Sequence, residues 1–133
     1  MARPTTKQKK VLIVEDDAVI QGIVANKLAS NDFEVKTAMD GMTGLALAKQ
    51  EKPNVIILDI MMPLMDGHEF LRLLRSDADQ TISHIPVLIL SNLWDKEHIL
   101  KAQQYGITDY LIKAYFTPDE ILKKIQLILG LIS

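Results

Sequence analysis

Short, continuous apolar runs constrain the fold of this chain more than any other feature of its sequence. Four of them are rich in branched aliphatic residues: Val11–Val14, Val55–Leu58, Val87–Leu90 and Tyr110–Ile112. Such runs are typical of parallel strands that are covered on both faces. A fifth segment, Phe33–Ala38, alternates, with Phe33, Val35 and Thr37 pointing one way. That alternation predicts an edge strand with one solvated face.

Helical patterns separate these strands. Apolar residues recur at helical spacing between Ile20 and Leu28 and again from Phe70 to Leu74. Three further helices are predicted: Thr43–Glu51, Lys96–Tyr105 and Pro118–Leu131. Thr117 and Glu120 can form a capping box at the start of the last one. Because strands and helices alternate strictly, the sequence predicts an α/β fold with a parallel sheet and right-handed crossovers.

Composition and charge argue against several classes of protein. The absence of cysteine excludes disulfide frameworks and thiolate metal sites. A net charge of −2 does not favour direct nucleic-acid binding, which needs a clustered basic face. The apolar run Ile121–Ile132 carries lysines and is too short to span a bilayer, and no signal peptide is recognisable. We therefore expect no membrane association and a cytoplasmic location.

The start of the chain differs in character from the rest. It carries the only basic cluster, formed by Arg3, Lys7, Lys9 and Lys10, and it has no apolar period. We predict a flexible basic tail over residues 1–9, followed by a single domain over residues 10–133.

Polar side chains stand where the predicted strands end. Glu15, Asp16 and Asp17 follow the first predicted strand, and Asp59 follows the third, Val55–Leu58. Ser91 follows the fourth predicted strand, and Lys113 follows the fifth. In open parallel sheets, ligands bind beyond the carboxyl ends of the strands, so most of these groups should converge. Clustered carboxylates suit a hard divalent cation such as Mg²⁺, and Lys113 suits a phosphoryl oxygen. The set contains the components of phosphoryl transfer, although each residue alone could be an ordinary loop group or a helix cap, as Asp17 is placed to be.

The motifs around these positions resemble one known family. They are Val11 to Asp17 with its acidic pair, the Asp-Ile-Met-Met-Pro-Leu-Met-Asp-Gly run from Asp59 to Gly67, Ser91, and Asp109 to Lys113. Over residues 10–132 the sequence resembles the receiver domain of two-component response regulators. The resemblance implies a flavodoxin-like (βα)5 fold, with a five-stranded parallel sheet in the order 2-1-3-4-5 and helices on both faces.

The resemblance also implies a role for each matching residue. Asp59 would accept a phosphoryl group from a phosphohistidine on a sensor histidine kinase or phosphotransfer protein. Mg²⁺ (or Mn²⁺) would be held by Glu15, Asp16, Asp59 and the backbone carbonyl of Met61. Lys113 would contact a phosphoryl oxygen, while Ser91 and Tyr110 would respond as the switch.

The resemblance further implies how the protein would interact with its partners. The protein would be a phosphoacceptor and not a conventional turnover enzyme. It would signal to a downstream protein or a fused output domain. Its output face, with a possible homodimer contact, would be formed by the fourth helix, fifth strand and fifth helix of the predicted pattern. The last helix has more apolar residues than one buried stripe needs, which fits either such a contact or simple packing on the sheet.

The sequence departs from the family pattern in three respects. Ala114 stands where the family often has proline, which leaves the conformation of the Lys113–Ala114 peptide open. Asn92 replaces a commonly small residue and would narrow the entrance to the site. Met61 and Leu93 flank the site with apolar side chains that cannot orient an attacking water. We therefore expect the acyl phosphate to hydrolyse slowly.

Other readings of the sequence give different expectations. A flavin carrier would need a Ser/Thr-rich phosphate loop after the first strand, and a haloacid-dehalogenase-like phosphatase would need an aspartate in place of Met61. A phosphorylation-independent binding module of the same fold is the main alternative. The three histidines, His68, His84 and His98, are expected to have no metal-binding or phosphotransfer role, with His68 on a helix surface. Trp94 and Tyr105 are expected to pack around the fourth helix.

Overall fold

The computed structural model describes residues 8–133. Most of the predicted basic tail therefore lies outside the described residues. Lys10, which the sequence groups with that tail, is instead the first residue of a strand. Its ammonium group lies 3.0 Å from the carboxylate of Glu51 and 3.5 Å from that of Glu34.

Five strands form one parallel sheet. They are β1 (Lys10–Val14), β2 (Glu34–Ala38), β3 (Val55–Leu58), β4 (Val87–Ser91) and β5 (Asp109–Ile112). Their order across the sheet is β2-β1-β3-β4-β5, and every neighbouring pair is parallel. The predicted order and the edge position of β2 are confirmed. All five carboxyl ends consequently lie along one rim of the sheet.

Helices follow the strands on both faces of the sheet. They are α1 (Ala18–Ala29), α2 (Gly41–Glu51), α3 (Gly67–Arg75), α4 (Gln80–Ser83), α5 (Lys96–Gln103) and α6 (Pro118–Ile128), with a 3₁₀ turn at Lys113–Tyr115. The short α4 was not predicted, so the fourth and fifth helices of the sequence pattern correspond to α5 and α6. Both end earlier than predicted, shortly before glycines with positive φ, Gly106 and Gly130, which favour the end of a helix.

The sheet separates two apolar layers. Because alternate side chains of a strand point to opposite faces, each continuous run contributes to both layers. Leu12 and Val14 pack on one side with α2 and α3, while Val11 and Ile13 pack on the other with α1 and α6. On β2, Thr37 is exposed, although the predicted alternation places it on the same face as the buried Phe33.

Two predicted side-chain caps, at the starts of α1 and α6, are present. The carboxylate of Asp17 accepts from the backbone N–H groups of Val19 and Ile20, so its predicted capping position is confirmed. The Thr117–Glu120 capping box is present at α6. Within residues 8–133, no helix combines the length and the apolar character that crossing a membrane requires.

Candidate functional site

Three carboxylates meet at the carboxyl rim of the sheet. Glu15 and Asp16 follow β1, and Asp59 follows β3, its neighbour in the sheet. Val14 and Leu58 are register partners, so the residues after them emerge side by side. One oxygen from each carboxylate lies within 4.8 Å of the others. Glu15 and Asp59 are buried, whereas Asp16 is exposed, so the cluster opens toward solvent on one side.

Lys113 joins this cluster from the end of β5. Its Nζ lies 2.8 Å from Oδ2 of Asp59 and 2.5 Å from Oε1 of Glu15. The other oxygens accept from backbone amides: Oδ1 of Asp59 from Met61 at 3.2 Å, and Oε2 of Glu15 from Asp17 at 3.1 Å. Asp59 is therefore held on both oxygens, with an ammonium group on one of them.

Burial and neighbouring charges shift the pKa values of Glu15 and Lys113. Burial raises the pKa of Glu15 to about 7, in spite of the opposing hydrogen bonds from Lys113 and the Asp17 amide. Burial alone would lower the pKa of Lys113, but its hydrogen bonds to Asp59 and Glu15 outweigh this and raise it. With all groups ionised, three carboxylates face one ammonium. The excess of negative charge matches a divalent cation.

The two predicted switch residues meet at the loop after β4. Ser91 is fully buried, and its Oγ accepts from the backbone N–H of Leu93 at 3.3 Å. Tyr110 is half-buried, packs against the core and donates its hydroxyl proton to the carbonyl of Leu93. The structure thus connects Ser91 and Tyr110 through the same loop residue.

Asn92 and Ala114, two of the residues that depart from the family pattern, contact each other. The backbone N–H of Ala114 donates to Oδ1 of Asn92 at 3.1 Å, and no cis peptide bond occurs among residues 8–133. A proline at this position would have no N–H to donate. Asn92 and Ala114 therefore link the loop after Ser91 to the loop that carries Lys113. No sequence pattern indicates that these two positions, 22 residues apart, contact each other.

A cavity of about 510 Å³ adjoins the cluster through Asp16. Met61 and Leu93 both line it, as their sequence positions led us to expect. His98 also lines it. The cavity wall beside the carboxylates is thus mostly apolar.

Two predictions about aromatic and histidine packing are wrong. His68 is 3% exposed and not a surface residue, because the first turn of α3 is drawn against the end of β3 and faces α5. Trp94 is 72% exposed, since the loop that precedes α5 carries it away from the core. Tyr105 does pack against the core as expected.

Comparison with known proteins agrees with this architecture. The family model described as "Response regulator receiver domain" matches residues 11–126. The chain belongs to the response regulator receiver family.

Several relatives and solved structures resemble this receiver domain. A probable transcriptional regulator, ycf27, of Guillardia theta is 38% identical over 122 residues, covering 92% of this chain and 46% of that protein. The response regulator PleD of Caulobacter vibrioides is 38% identical over 104 residues, covering 78% of this chain and 22% of that protein. The chain spans less than half of each of these two relatives.

Among solved structures, the chemotaxis protein CheY4 of Vibrio cholerae has a TM-score of 0.84 at 34% identity, covering 92% of this chain and 99% of that one. The DrrB receiver domain, described as activated by BeF3, has a TM-score of 0.78 at 31% identity, covering 92% of this chain and 98% of that one.

Proposed function

We propose that this receiver domain accepts a phosphoryl group on Asp59 from the phosphohistidine of a sensor histidine kinase or phosphotransfer protein. The observation that carries the proposal is the state of the Asp59 carboxylate, which is buried within an acidic cluster with Oδ2 on the ammonium group of Lys113. Phosphoryl transfer depends mainly on positioning and charge neutralisation, and both are built into this arrangement.

The donor set fits a hard divalent cation. Glu15, Asp16, Asp59 and the backbone carbonyl of Met61 would hold Mg²⁺ or Mn²⁺, which prefer oxygen ligands. The bound ion would supply positive charge to the incoming phosphoryl oxygens. The chain itself orients the Asp59 carboxylate, since Lys113 and the Met61 amide each hold one of its oxygens.

The response to phosphorylation would run through β4 and β5. A phosphoryl group adds about −1.5 to −2 of charge, which would attract the Ser91 hydroxyl and the Lys113 ammonium group. The backbone of Leu93 is hydrogen-bonded to both Ser91 and Tyr110, so a movement of Ser91 would also displace Tyr110. The face formed by α5, β5 and α6 would then be the output surface.

The proposal extends to how the domain is used. It would act as a phosphoacceptor without conventional turnover, in the cytoplasm, and signal through a downstream protein or a fused output domain. RpaA of Synechocystis, a relative that is 35% identical over 120 residues, is named a DNA-binding transcriptional regulator, and any DNA binding here would belong to such an output domain. Leu127 in α6 and Leu131 and Ile132 just after it are exposed and would support a homodimer contact.

Incubation with Mg²⁺ and acetyl phosphate tests the proposal. Intact mass spectrometry should show the gain of one phosphoryl group in the wild type and none in Asp59→Asn. Asp40→Asn is a matched control, since Asp40 follows β2 at the same rim and caps α2, and asparagine can still cap. It should be phosphorylated like the wild type.

The same experiment distinguishes the proposed function from the alternative one. A phosphorylation-independent binding module would gain no phosphoryl group, with or without Mg²⁺. Gain of the group in both the wild type and Asp59→Asn would place the acceptor elsewhere.

A further inference from the structure

A pair of histidines joins α3 to α5 beside the cavity. Nε2 of His68 lies 2.9 Å from Nδ1 of His98, with the ring planes within 10° and the ring centres 5.1 Å apart. If the rings were stacked face to face, every atom of one ring would be at least about 3.5 Å from the other ring, which is longer than the observed distance between the two nitrogens. With ring bonds of about 1.33 Å, each nitrogen lies about 1.1 Å from its ring centre. The rings therefore lie end to end and share an N–H···N hydrogen bond.

This geometry accommodates a proton and not a metal ion. Zinc–imidazole bonds are about 2.0–2.1 Å long, so two nitrogens that face each other would need a separation of about 4 Å to hold an ion between them. The observed 2.9 Å is a hydrogen-bond distance.

Burial assigns the proton between the two rings. His68 is 3% exposed, and its Nδ1 is buried with no hydrogen-bond partner in the described part of the chain. A buried N–H without an acceptor is costly and rare, so His68 carries its proton on Nε2 and donates it to His98. His98 then accepts on Nδ1 and carries its own proton on Nε2, which lies 4.0 Å from the carboxylate of Asp95.

An added proton disturbs this arrangement wherever it binds. On Nδ1 of His98 it places two N–H groups against each other and removes the hydrogen bond. On Nδ1 of His68 it creates a buried, unpaired N–H. Burial lowers the pKa of His68, and the charges of Lys101 and His98 lower it further, while Asp66 and Asp95 act in the opposite direction.

The two helices that the pair connects are anchored unequally. α3 is fixed to the phosphoacceptor strand: the N–H of Gly67 donates to the carbonyl of Ile60 at 2.9 Å, and a Cβ there would lie 2.7 Å from the carbonyl of Asp59. α5 buries only Ala102 fully, and its N-cap residue, Asp95, makes no side-chain capping bond. The histidine pair is thus a specific connection from α3 to the first turn of a helix that buries few of its side chains.

We propose that the His68–His98 hydrogen bond is a proton-sensitive tie that positions α5 against α3, formed at neutral pH and disrupted when the pair takes up a proton. His68 and His98 are positioning residues in this scheme. Acidification would loosen α5 without any phosphoryl transfer. The inference rests on the proposed function only for the signalling meaning of a loosened α5.

NMR of the ¹⁵N-labelled protein without a phosphodonor tests the tie. At pH 7.5, ring-nitrogen spectra should show both histidines protonated on Nε2. Between pH 7.5 and 5.5, amide-exchange protection in α5, corrected for intrinsic rates, should fall about tenfold, the factor for one net hydrogen bond. Protection in α2, which lies away from the pair, should stay constant.

Variants separate the tie from general acid effects. Asparagine can offer an acceptor oxygen at the position of Nδ1 but does not titrate in this range, so His98→Asn should keep α5 protected at both pH values. His98→Ala should leave α5 less protected at both. His84→Gln replaces an exposed histidine at the end of α4 and should respond like the wild type.

Two results would overturn the proposal: a proton on Nδ1 of His98 at pH 7.5, or a loss of α5 protection that persists unchanged in His98→Asn. Neither depends on Asp59. Failure of the phosphorylation test would leave these spectra unaffected, and failure of the tie would leave phosphorylation intact.

Discussion

Met61 brings an apolar side chain to the cavity beside the carboxylate cluster, where it is 61% exposed. Leu93 faces the same cavity from the loop after β4. Hydrolysis of an acyl phosphate requires a water that is oriented for attack, and a thioether or an isobutyl group orients water poorly. At the scale of single residues, these two positions would control how long the phosphoryl group stays on Asp59.

We expect Met61→Asn to shorten the lifetime of the phosphorylated protein about tenfold, because an amide can hold the attacking water in place. The measurement is the decay of the phosphoprotein mass after removal of the phosphodonor. Met42→Asn, at an exposed methionine on α2, serves as the matched control and should leave the lifetime unchanged. Equal lifetimes for Met61→Asn and the wild type would contradict the prediction.

At the scale of elements, the loops after β4 and β5 are joined by a contact between two unusual residues. Asn92 accepts from the N–H of Ala114, next to Lys113. The contact ties the end of the strand that carries Ser91 to the start of the 3₁₀ turn that carries the site lysine. It therefore fixes the relative position of two site residues that are far apart in sequence.

Removing either partner of this hydrogen bond should have the same effect as removing both. Asn92→Ala loses the acceptor and Ala114→Pro loses the donor, and the double variant should show a coupling free energy of about 0.5–1 kcal/mol. Urea unfolding of the four proteins measures it. Strictly additive changes in the free energy of unfolding would show that the contact contributes no coupling.

At the scale of the whole molecule, the buried carboxylate of Glu15 links stability to pH. Its pKa is about 7 in the folded protein, above the ordinary value of 4.5 expected for the unfolded chain. At this group the folded state therefore binds more protons between these values, and the contribution of Glu15 to stability is greatest below about 4.5 and falls as the pH rises through about 7. The acidic cluster that we propose to hold a cation thus reduces stability at neutral pH when no cation is bound.

Glu15→Gln should remove this pH dependence. In metal-free buffer, the free energy of unfolding of the wild type relative to Glu15→Gln should decrease from pH 5 to pH 8. Added Mg²⁺ should restore stability to the wild type at pH 8 more than to the variant. Denaturant unfolding at the two pH values measures both effects. A constant difference between the two proteins across this range would contradict the assigned cause.

Much of the fold follows from local sequence patterns. Val11–Val14 and Val55–Leu58 predict buried parallel strands because their side chains must be covered on both faces, and Thr117 with Glu120 predicts the start of α6. The motif from Asp59 to Gly67 identifies the family. These features depend on residues that are close in the chain, so the sequence alone determines them.

Long-range contacts lie beyond such patterns. Arg75 donates from α3 to four carbonyls, those of Ser83, Ile85, Tyr105 and Gly106, and nothing near it in the sequence indicates this. The Asn92–Ala114 bond and the His68–His98 pair likewise join residues 22 and 30 positions apart.

The sequence by itself thus determined the parallel α/β architecture, and its motif indicated the residues that gather at the carboxyl rim. Only the tertiary structure decided that His68 is buried, that two departures from the family pattern contact each other, and that one lysine bridges Glu15 and Asp59. The physical reason is that periodicity reports which face of an element is apolar. It does not report which polar atoms meet when the elements pack.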